Sequence, residues 1–220
     1  MRVFEGRTAV ITGGGTGIGA AVALALAEAG VSISLIGRRL DRLQSVAARA
    51  RELGAETACY STDLADNSAQ VELTRRLTGD LRNLDILVQS AATYSAGPIE
   101  EGSLAQFDAQ YYTNVRAPYV LTRALLPMLK ACRGQVVFIN SSSGIVAKPM
   151  SAQYDSTKHA LKAIADSLRG EVNAHGVRVL RLETNQTLTE AISLYRAAGY
   201  REVPAFNDEP YAHHWFEKTI

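Results

Sequence analysis

The stretch from Thr8 to Gly30, TAVITGGGTGIGAAVALALAEAG, decides the fold class, because a glycine-rich turn joins a β-branched run to a segment with helical periodicity. Glycines suit this turn because it needs positive φ angles and because a Cβ would hold the backbone away from a pyrophosphate. The amino end of the following helix offers unpaired N–H groups and about half a positive charge to such an anion. The turn therefore predicts dinucleotide binding rather than a purely structural role. The expected contacts are Gly13, Gly15, Thr16, Gly17, Ile18 and Gly19.

Short β-branched runs alternate with helical segments from this turn to Leu180, which is typical of βαβ units around a parallel sheet. The expected strands are TAVIT, SISLIG, TACYS, DILVQS, QVVFIN and VRVLRLE. The first two helices end at Gly30 and Gly54. Right-handed crossovers favour an α/β fold with a doubly wound, Rossmann-like parallel sheet flanked by helices. Its ligand crevice is expected beyond the carboxyl ends of the strands.

Two arginines follow the second strand, in the sequence IGRR, where an acidic residue would otherwise hold an adenosine 2′-hydroxyl. Arg38 and Arg39 also begin a helix, where cations face the positive end of the dipole and cost about 0.3 to 1 kcal/mol each unless an anion lies between them. This pattern indicates NADP(H) rather than NAD(H). A solvated basic helix face is the alternative, since the same helix carries Arg42, Arg49 and Arg51.

The overall composition excludes several classes of partner. The chain has 220 residues, of which 47% are hydrophobic, and a formal net charge of +1. This charge gives no electrostatic reason to expect nucleic acid or an anionic membrane as a partner. Two cysteines are too few for a disulfide framework or a thiolate metal site, so no metal is expected. No signal peptide or apolar run of membrane-spanning length is recognisable, so the sequence predicts a cytoplasmic protein.

Six motifs occur along the chain in this order: TGGGTGIG, STDLAD, LDILVQSAA, YYTNVRAPYVLTRALLP, VVFINSSSG and YDSTK. In this order the chain resembles the short-chain dehydrogenase/reductase family from about Gly6 to Val179. A tyrosine and a lysine four residues apart would be weak evidence alone. The spacing strengthens it, because Ser141 precedes Tyr154 by thirteen residues (154 − 141), as the family's catalytic serine does.

The resemblance implies a role for each matching residue. In the family a tyrosine is the general acid or base, a lysine binds the nicotinamide ribose and lowers the tyrosine pKa, a serine holds the substrate oxygen, and an asparagine supports a proton relay. The matching catalytic residues are Asn114, Ser141, Tyr154 and Lys158. The cofactor residues implied by the resemblance are Gly13, Gly17, Gly19, Asp63, Leu64, Ser90, Ala91, Ala92, Tyr154 and Lys158.

One lysine is energetically sufficient for the implied effect on Tyr154. Moving a phenol pKa from near 10 towards 7 takes about 4 kcal/mol. Two unit charges about 4 Å apart interact by about that amount at an effective dielectric of 20. The resemblance therefore implies hydride transfer between NADP(H) and a carbonyl or alcohol, with Tyr154 transferring the proton.

The stretch QSAA, Gln89 to Ala92, departs from the family, whose members usually read N-N-A-G there. Ala92 adds a methyl group where the backbone passes close to the cofactor. An alanine is tolerated at such a position as long as its φ stays negative. The change therefore predicts a more crowded site, not an inactive one.

The carboxyl-terminal part departs further, because no family segment is recognisable beyond the sixth strand. Residues 180–220 resemble the end of a GNAT acetyltransferase through LETN, AISLYRAAGYREV and FEKTI. This predicts an NADP(H)-binding domain over residues 1–180 and an atypical helix-plus-strand tail over residues 181–220, packed on or extending that domain. The apolar face of the expected helix comprises Ala191, Leu194, Tyr195 and Ala198, and HHWFEKTI contains the expected strand.

The sequence is compatible with three functions. The first is an NADP(H)-dependent oxidoreductase acting on a small carbonyl or alcohol. The second is a dinucleotide-binding protein with little turnover, because its substrate cover has been replaced, and the third is an acetyltransferase. The resemblance also implies a homodimer that pairs through helices at about Leu104–Leu129 and Tyr154–Asn173.

Overall fold

A six-stranded sheet is the central element of the computed structural model, which describes residues 4–184, 201–203 and 215–217. The strands are β1 (Thr8–Thr12), β2 (Ser32–Gly37), β3 (Thr57–Ser61), β4 (Ile86–Gln89), β5 (Gln135–Ser141) and β6 (Arg178–Thr184). They are ordered β3-β2-β1-β4-β5-β6, and the pairs from β3 through β5 are parallel. The predicted strands are confirmed, with ends that differ from the prediction by at most one residue.

Six helices connect these strands. They are α1 (Gly17–Glu28), α2 (Leu40–Glu52), α3 (Asn67–Asp80), α4 (Leu104–Tyr111), α5 (Ala117–Cys132) and α6 (Ala152–Val172). Gly30 and Gly54, with φ of 92° and 87°, follow the ends of α1 and α2 as predicted. The stretch from Leu104 to Leu129 is not one regular helix, because the π-helical segment Tyr112–Arg116 separates α4 from α5.

Hydrophobic side chains cover both faces of the sheet. On one face Val10, Leu87 and Phe138 pack with leucines of α3, α5 and α6. On the other face Ile11 and Val88 pack with apolar side chains of α1 and α2. Successive strand residues point to opposite faces, so β-branched runs of this kind are buried on both sides. The doubly wound fold predicted from the alternating pattern is confirmed.

The strand order reverses between β1 and β4, which is the position at which open α/β sheets bind their ligands. Thr12, at the end of β1, ties these two strands together. Its Oγ1 accepts hydrogen bonds from the N–H groups of Ser90 and Ala91, both at 3.0 Å. The glycine turn after β1 is thereby held beside the loop that follows β4.

Two compact units divide the chain, Met1–Leu182 and Glu183–Ile220. In the second unit, β7 (Arg201–Val203) pairs antiparallel with β8 (Trp215–Glu217), so the strand predicted within HHWFEKTI is confirmed. The predicted helix face with Ala191, Leu194, Tyr195 and Ala198 lies outside the described residues. Within the described part of the chain, no helix is long and apolar enough to cross a membrane, and no cluster of His, Cys, Asp or Glu could hold a metal ion.

Candidate active site

Tyr154 and Lys158 lie on the same face of α6, one turn apart. The Lys158 Nζ is 5.5 Å from the centroid of the Tyr154 ring. The lysine side chain is 3% exposed and donates a hydrogen bond of 3.0 Å to the carbonyl oxygen of Ile139 on β5. The predicted pair is therefore brought together, and the lysine is held from the sheet side.

Ser141 ends β5 and faces the same tyrosine. The Ser141 hydroxyl lies close enough to the Tyr154 phenol to lower the tyrosine pKa. The Ser141 Oγ also accepts a hydrogen bond of 3.2 Å from the Ser143 N–H, which fixes the start of the following turn. The site thus contains a hydroxyl, a phenol and an amine at the carboxyl end of β5, the edge where ligands bind in open α/β sheets.

Burial is the dominant influence on the Tyr154 phenol. Desolvation raises the pKa of Tyr154 above its ordinary value, and this effect exceeds the lowering by Ser141. Tyr94 and Asp155 raise the pKa further. The protein groups alone therefore do not produce the lowered tyrosine pKa that the resemblance implies, and that expectation is wrong for them. The reason is that most of the phenol is withdrawn from water, which disfavours the phenolate.

Burial also acts on the lysine. It lowers the pKa of Lys158 from 10.5 to about 8, because the charged amine has lost most of its water and keeps only one carbonyl partner, on Ile139, among the described residues. The group remains mostly protonated at neutral pH, so it still presents a positive charge beside Tyr154.

The depressed lysine pKa gives a prediction about pH and stability. Between pH 8 and pH 10.5 the unfolded chain binds a proton at Lys158 that the folded chain has lost, so the free energy of unfolding rises with pH in this window. Relative to Lys158→Met, wild type should gain up to about 3 kcal/mol across the window. Urea denaturation of both proteins at several pH values measures this difference. A constant difference between them would show that the amine is not desolvated.

Asn114 lies in the π-helical segment and is 1% exposed. Its Oδ1 accepts a hydrogen bond of 2.8 Å from the Thr93 N–H, while its Nδ2 donates to the Thr93 carbonyl and to the Thr157 Oγ1 at 2.9 and 3.1 Å. Both amide protons are thus used by the protein. The side chain therefore links the loop after β4 to α6, at a position three residues after Tyr154.

The glycine turn has the close packing expected of a phosphate-binding loop. A Cβ on Gly13, which has φ +67°, would lie 3.0 Å from the Ala91 Cα. A Cβ on Gly19 would lie 2.3 Å from the Gly13 oxygen, so the helix can approach the turn only because position 19 is a glycine. Gly17, with φ +52°, has open space at its Cβ position.

The amino end of α1 is available for an anion. Thr16 precedes the helix without a side-chain cap, and no acidic residue lies in the first turn. The N–H groups there have no partner within the helix. Thr16, Gly17 and Ile18 are exposed, and Gly15 is partly exposed. This open cradle, with no Cβ at Gly17, fits the pyrophosphate of a dinucleotide.

The predicted adenosine-side residues lie at the ends of β2 and β3. Arg38 and Arg39 are exposed, and their guanidinium groups make no ion pair with a carboxylate in the part of the chain that the structure describes. Asp63 is exposed and its Oδ1 accepts a hydrogen bond of 2.9 Å from the Ala65 N–H. Leu64 is buried, and its carbonyl accepts from the Gln70 side chain. All four residues follow β2 or β3 at the carboxyl end of the strand.

The loop after β4 places Ser90, Ala91 and Ala92 next to the glycine turn. Ala92 is exposed, and its φ is not in the left-handed region. The methyl group is therefore accommodated without backbone strain, which is the condition on which the departure from N-N-A-G is tolerable.

Tyr94 is a site residue that sequence reasoning missed. Its ring meets the Tyr154 ring edge to face, with 4.9 Å between centroids and 77° between planes, and it is half exposed. Thr12, which ties β1 to β4, was likewise not assigned a role. Neither side chain has a sequence signal of its own, because each acts through a contact between residues more than fifty positions apart.

Comparison with known proteins identifies relatives over most of the chain. The family model described as short chain dehydrogenase matches residues 7–198. A short chain dehydrogenase of Pseudocercospora fijiensis is 32% identical over 189 residues, which are 84% of this chain and 61% of that protein. The NADPH-dependent 3-dehydrocapnine reductase of Ornithobacterium rhinotracheale is 33% identical over 144 residues, 63% of this chain and 50% of that protein.

Comparison with solved structures also finds short-chain oxidoreductases that are similar over most of the chain. A metagenomic short-chain oxidoreductase, crystallised in complex with NADP, superposes with a TM-score of 0.79 at 27% identity, over 87% of this chain and 91% of that one. The family match continues to residue 198, beyond the last recognised motif near Val179. The comparisons therefore give no support to the acetyltransferase resemblance of residues 180–220.

Proposed function

This chain belongs to the short-chain dehydrogenase family, and from this premise we propose that it is an NADP(H)-dependent oxidoreductase that transfers a hydride between nicotinamide and a carbonyl or alcohol. The observation that carries the proposal is the buried Lys158 amine beside Tyr154, with the Ser141 hydroxyl near the same phenol. An open helix end and glycine turn lie on the same edge of the sheet.

The proposed reaction assigns each protein group one task. The nicotinamide, when bound, supplies or accepts the hydride. Ser141 donates a hydrogen bond to the substrate oxygen as negative charge grows on it. Tyr154 donates its proton to that oxygen, and the raised pKa of Tyr154 keeps the phenol protonated at neutral pH. This protonation state favours carbonyl reduction over alcohol oxidation, which would require the phenolate.

Lys158 and Asn114 support that proton transfer in different ways. The charged amine of Lys158, close to the phenol, stabilises the phenolate that forms when the proton leaves. The same amine is the group in this chain that would hold the nicotinamide ribose. Asn114 holds the loop at Thr93 against α6, so that the Tyr154 phenol keeps its position in the site.

The exposed arginines support NADP(H) as the cofactor. Arg38 and Arg39 provide two guanidinium groups that make no ion pair among the described residues, at the strand end where the adenosine ribose binds in this fold. The related reductase is named as NADPH-dependent, and the similar oxidoreductase structure contains NADP. A 2′-phosphate would also relieve the unfavourable position of two cations at the start of α2.

The cofactor proposal predicts a selective loss in the double variant Arg38→Ala, Arg39→Ala. Each charge-assisted hydrogen bond to the phosphate contributes about 1.5 to 3 kcal/mol, so we expect NADPH affinity to fall by at least about tenfold. NADH affinity should be unchanged, because NADH has no 2′-phosphate. Isothermal titration calorimetry with both nucleotides measures this, with Arg49→Ala on the far end of α2 as the matched control. An equal loss for both nucleotides would contradict the assignment.

Two measurements test the function as a whole. Calorimetric titration with NADPH, NADP⁺ and NADH establishes whether a dinucleotide binds, and a panel of ketones and aldehydes with NADPH establishes turnover. We expect tight NADPH binding and oxidation of NADPH with part of the panel. Binding without turnover would favour the dinucleotide-binding alternative. A thermal shift with acetyl-CoA and none with NADPH would favour the acetyltransferase.

The remaining proposals concern assembly and setting. We propose a homodimer that pairs through α4, α5 and α6, because Leu104, Tyr111 and Tyr119 are exposed apolar side chains on α4 and α5. Sedimentation equilibrium measures this assembly.

We propose the cytoplasm as the location of the protein, because free Cys59 and Cys132 suit a reducing compartment. The boundary between an NADP(H)-binding domain and a tail near residue 180 stays a prediction.

A further inference from the structure

A buried carboxylate follows the candidate catalytic tyrosine directly. Asp155 is 1% exposed, and its Oδ2 accepts a hydrogen bond of 2.6 Å from the Lys148 N–H. Its Oδ1 is also buried and has no hydrogen-bond partner among the described residues. Asp155 is the acidic residue of the YDSTK motif.

Burial of this carboxylate needs a compensating interaction. A buried polar group without a partner is costly, and a charged one more so. The position in the first turn of α6 contributes, because the helix amino end favours negative charge. The Lys148 N–H is the one hydrogen-bond partner of the Asp155 side chain among the described residues, so the carboxylate and this N–H stabilise each other.

The Lys148 N–H belongs to the segment that connects the two halves of the active site. Residues 142–151 start directly after Ser141 and end just before α6, which carries Tyr154. Ile145, Val146 and Met150 in this segment are more than half exposed, so the segment presents apolar side chains to a ligand.

A second hydrogen bond holds the segment two residues further along, at Met150. The Gly97 N–H donates a hydrogen bond of 2.7 Å to the Met150 carbonyl, which joins the segment to the loop that carries Tyr94. Met150 has φ +70°, an unfavourable conformation for a residue with a side chain. Such strain persists only where neighbouring interactions impose it. The carboxyl-terminal part of the segment is therefore held by two separate bonds, one from Lys148 to Asp155 on α6 and one from the Tyr94 loop to Met150.

We propose that Asp155 is a positioning residue that fixes residues 142–151 as a wall of the substrate site, and so sets how the substrate carbonyl lies against Ser141 and Tyr154. The inference rests on the proposed oxidoreductase function. It assigns the carboxylate a second task besides its effect on the Tyr154 pKa, because its hydrogen bond to the Lys148 N–H holds the segment in place.

The test compares Asp155→Ala, which removes the acceptor, with Asp155→Asn, whose amide oxygen can still accept from Lys148. Glu171→Ala, on an exposed position of the same helix, is the matched control. In Asp155→Ala we expect KM for the carbonyl substrate to rise about tenfold, because misplacement of a substrate-positioning group weakens productive binding. The NADPH dissociation constant should stay within about twofold, and hydrogen–deuterium exchange should increase in residues 142–151. Asp155→Asn and Glu171→Ala should keep the wild-type KM and the wild-type exchange of residues 142–151, although Asp155→Asn also removes the charge that raises the Tyr154 pKa.

The outcomes separate this inference from the function on which it rests. Unchanged KM and unchanged exchange in Asp155→Ala, in an active enzyme, would overturn the positioning role and leave the function intact. A parallel loss of NADPH binding and substrate binding would also overturn it, since that result indicates general destabilisation. Should Asp155→Ala fail to fold, Asp155→Ser replaces it, because the shorter hydroxyl does not reach the Lys148 N–H. No turnover by wild type would overturn both proposals.

Discussion

Replacing Tyr154 with phenylalanine is expected to lower kcat for carbonyl reduction by about a thousandfold, since general acid catalysis contributes about 10² to 10⁴ in rate. The change removes one hydroxyl group and keeps the ring that packs against Tyr94 and lies beside Lys158. The fold and the cofactor site should therefore persist. The absorbance of reduced nicotinamide measures the rate, and calorimetry should give an NADPH dissociation constant close to that of wild type.

Tyr60→Phe is the matched control for this variant. Tyr60 lies on β3, is also buried, and donates a hydrogen bond of 3.0 Å to Asp80. Loss of that bond should cost about 1 kcal/mol of stability without lowering kcat. If Tyr154→Phe retained wild-type kcat, Tyr154 would not be the proton donor and the proposed mechanism would be wrong.

Replacing Gly19 with alanine is expected to abolish measurable NADPH binding. The added Cβ would lie 2.3 Å from the oxygen and 2.8 Å from the carbonyl carbon of Gly13, and both are backbone atoms. The turn and α1 must therefore move apart, and overpacking of this kind costs about 1 to 3 kcal/mol in stability. The same movement displaces the N–H groups that face the pyrophosphate, so affinity should fall by at least about a hundredfold, or about 2.8 kcal/mol.

Gly79→Ala separates this effect from the general cost of an added methyl group. Gly79 lies within α3, and a Cβ there would meet nothing within 4 Å. Alanine is favoured over glycine in a helix by about 0.5 to 1 kcal/mol, so this variant should be slightly more stable and bind NADPH normally. Thermal denaturation and calorimetry on both variants make the comparison. Normal NADPH binding by Gly19→Ala would exclude the glycine turn as the pyrophosphate site.

Local patterns in the sequence were sufficient to predict the sheet. Strand residues such as Ala9, Val10 and Ile11 are apolar in succession because both faces of a central parallel strand are buried, and a local pattern reports that directly. The glycine turn was predictable for a similar reason, because positive φ and close backbone approach restrict the residue type. The spacing of Tyr154 and Lys158 follows from the helical repeat.

Interactions between distant residues could not be predicted in the same way. The Tyr94 contact with Tyr154, the Asn114 bonds to Thr93 and Thr157, and the Asp155 bond to Lys148 each depend on how separate elements pack. The resemblance implies a lowered pKa for Tyr154, whereas the protein groups alone raise it, chiefly through burial. The spacing of Tyr154 and Lys158 in the sequence predicts that the two side chains lie close together, but it does not predict how deeply they are buried.

The sequence by itself determined the order of the elements, the residue types at the glycine turn and the identities of Ser141, Tyr154 and Lys158, because each depends on local conformational or chemical requirements. Only the tertiary structure decided that the lysine bonds to Ile139, that burial outweighs Ser141 at the phenol, and that Asp155 and Gly97 hold the segment between β5 and α6. The physical reason is that desolvation and hydrogen-bond geometry depend on the surroundings of a group in space, and these surroundings come from elements far apart in the chain.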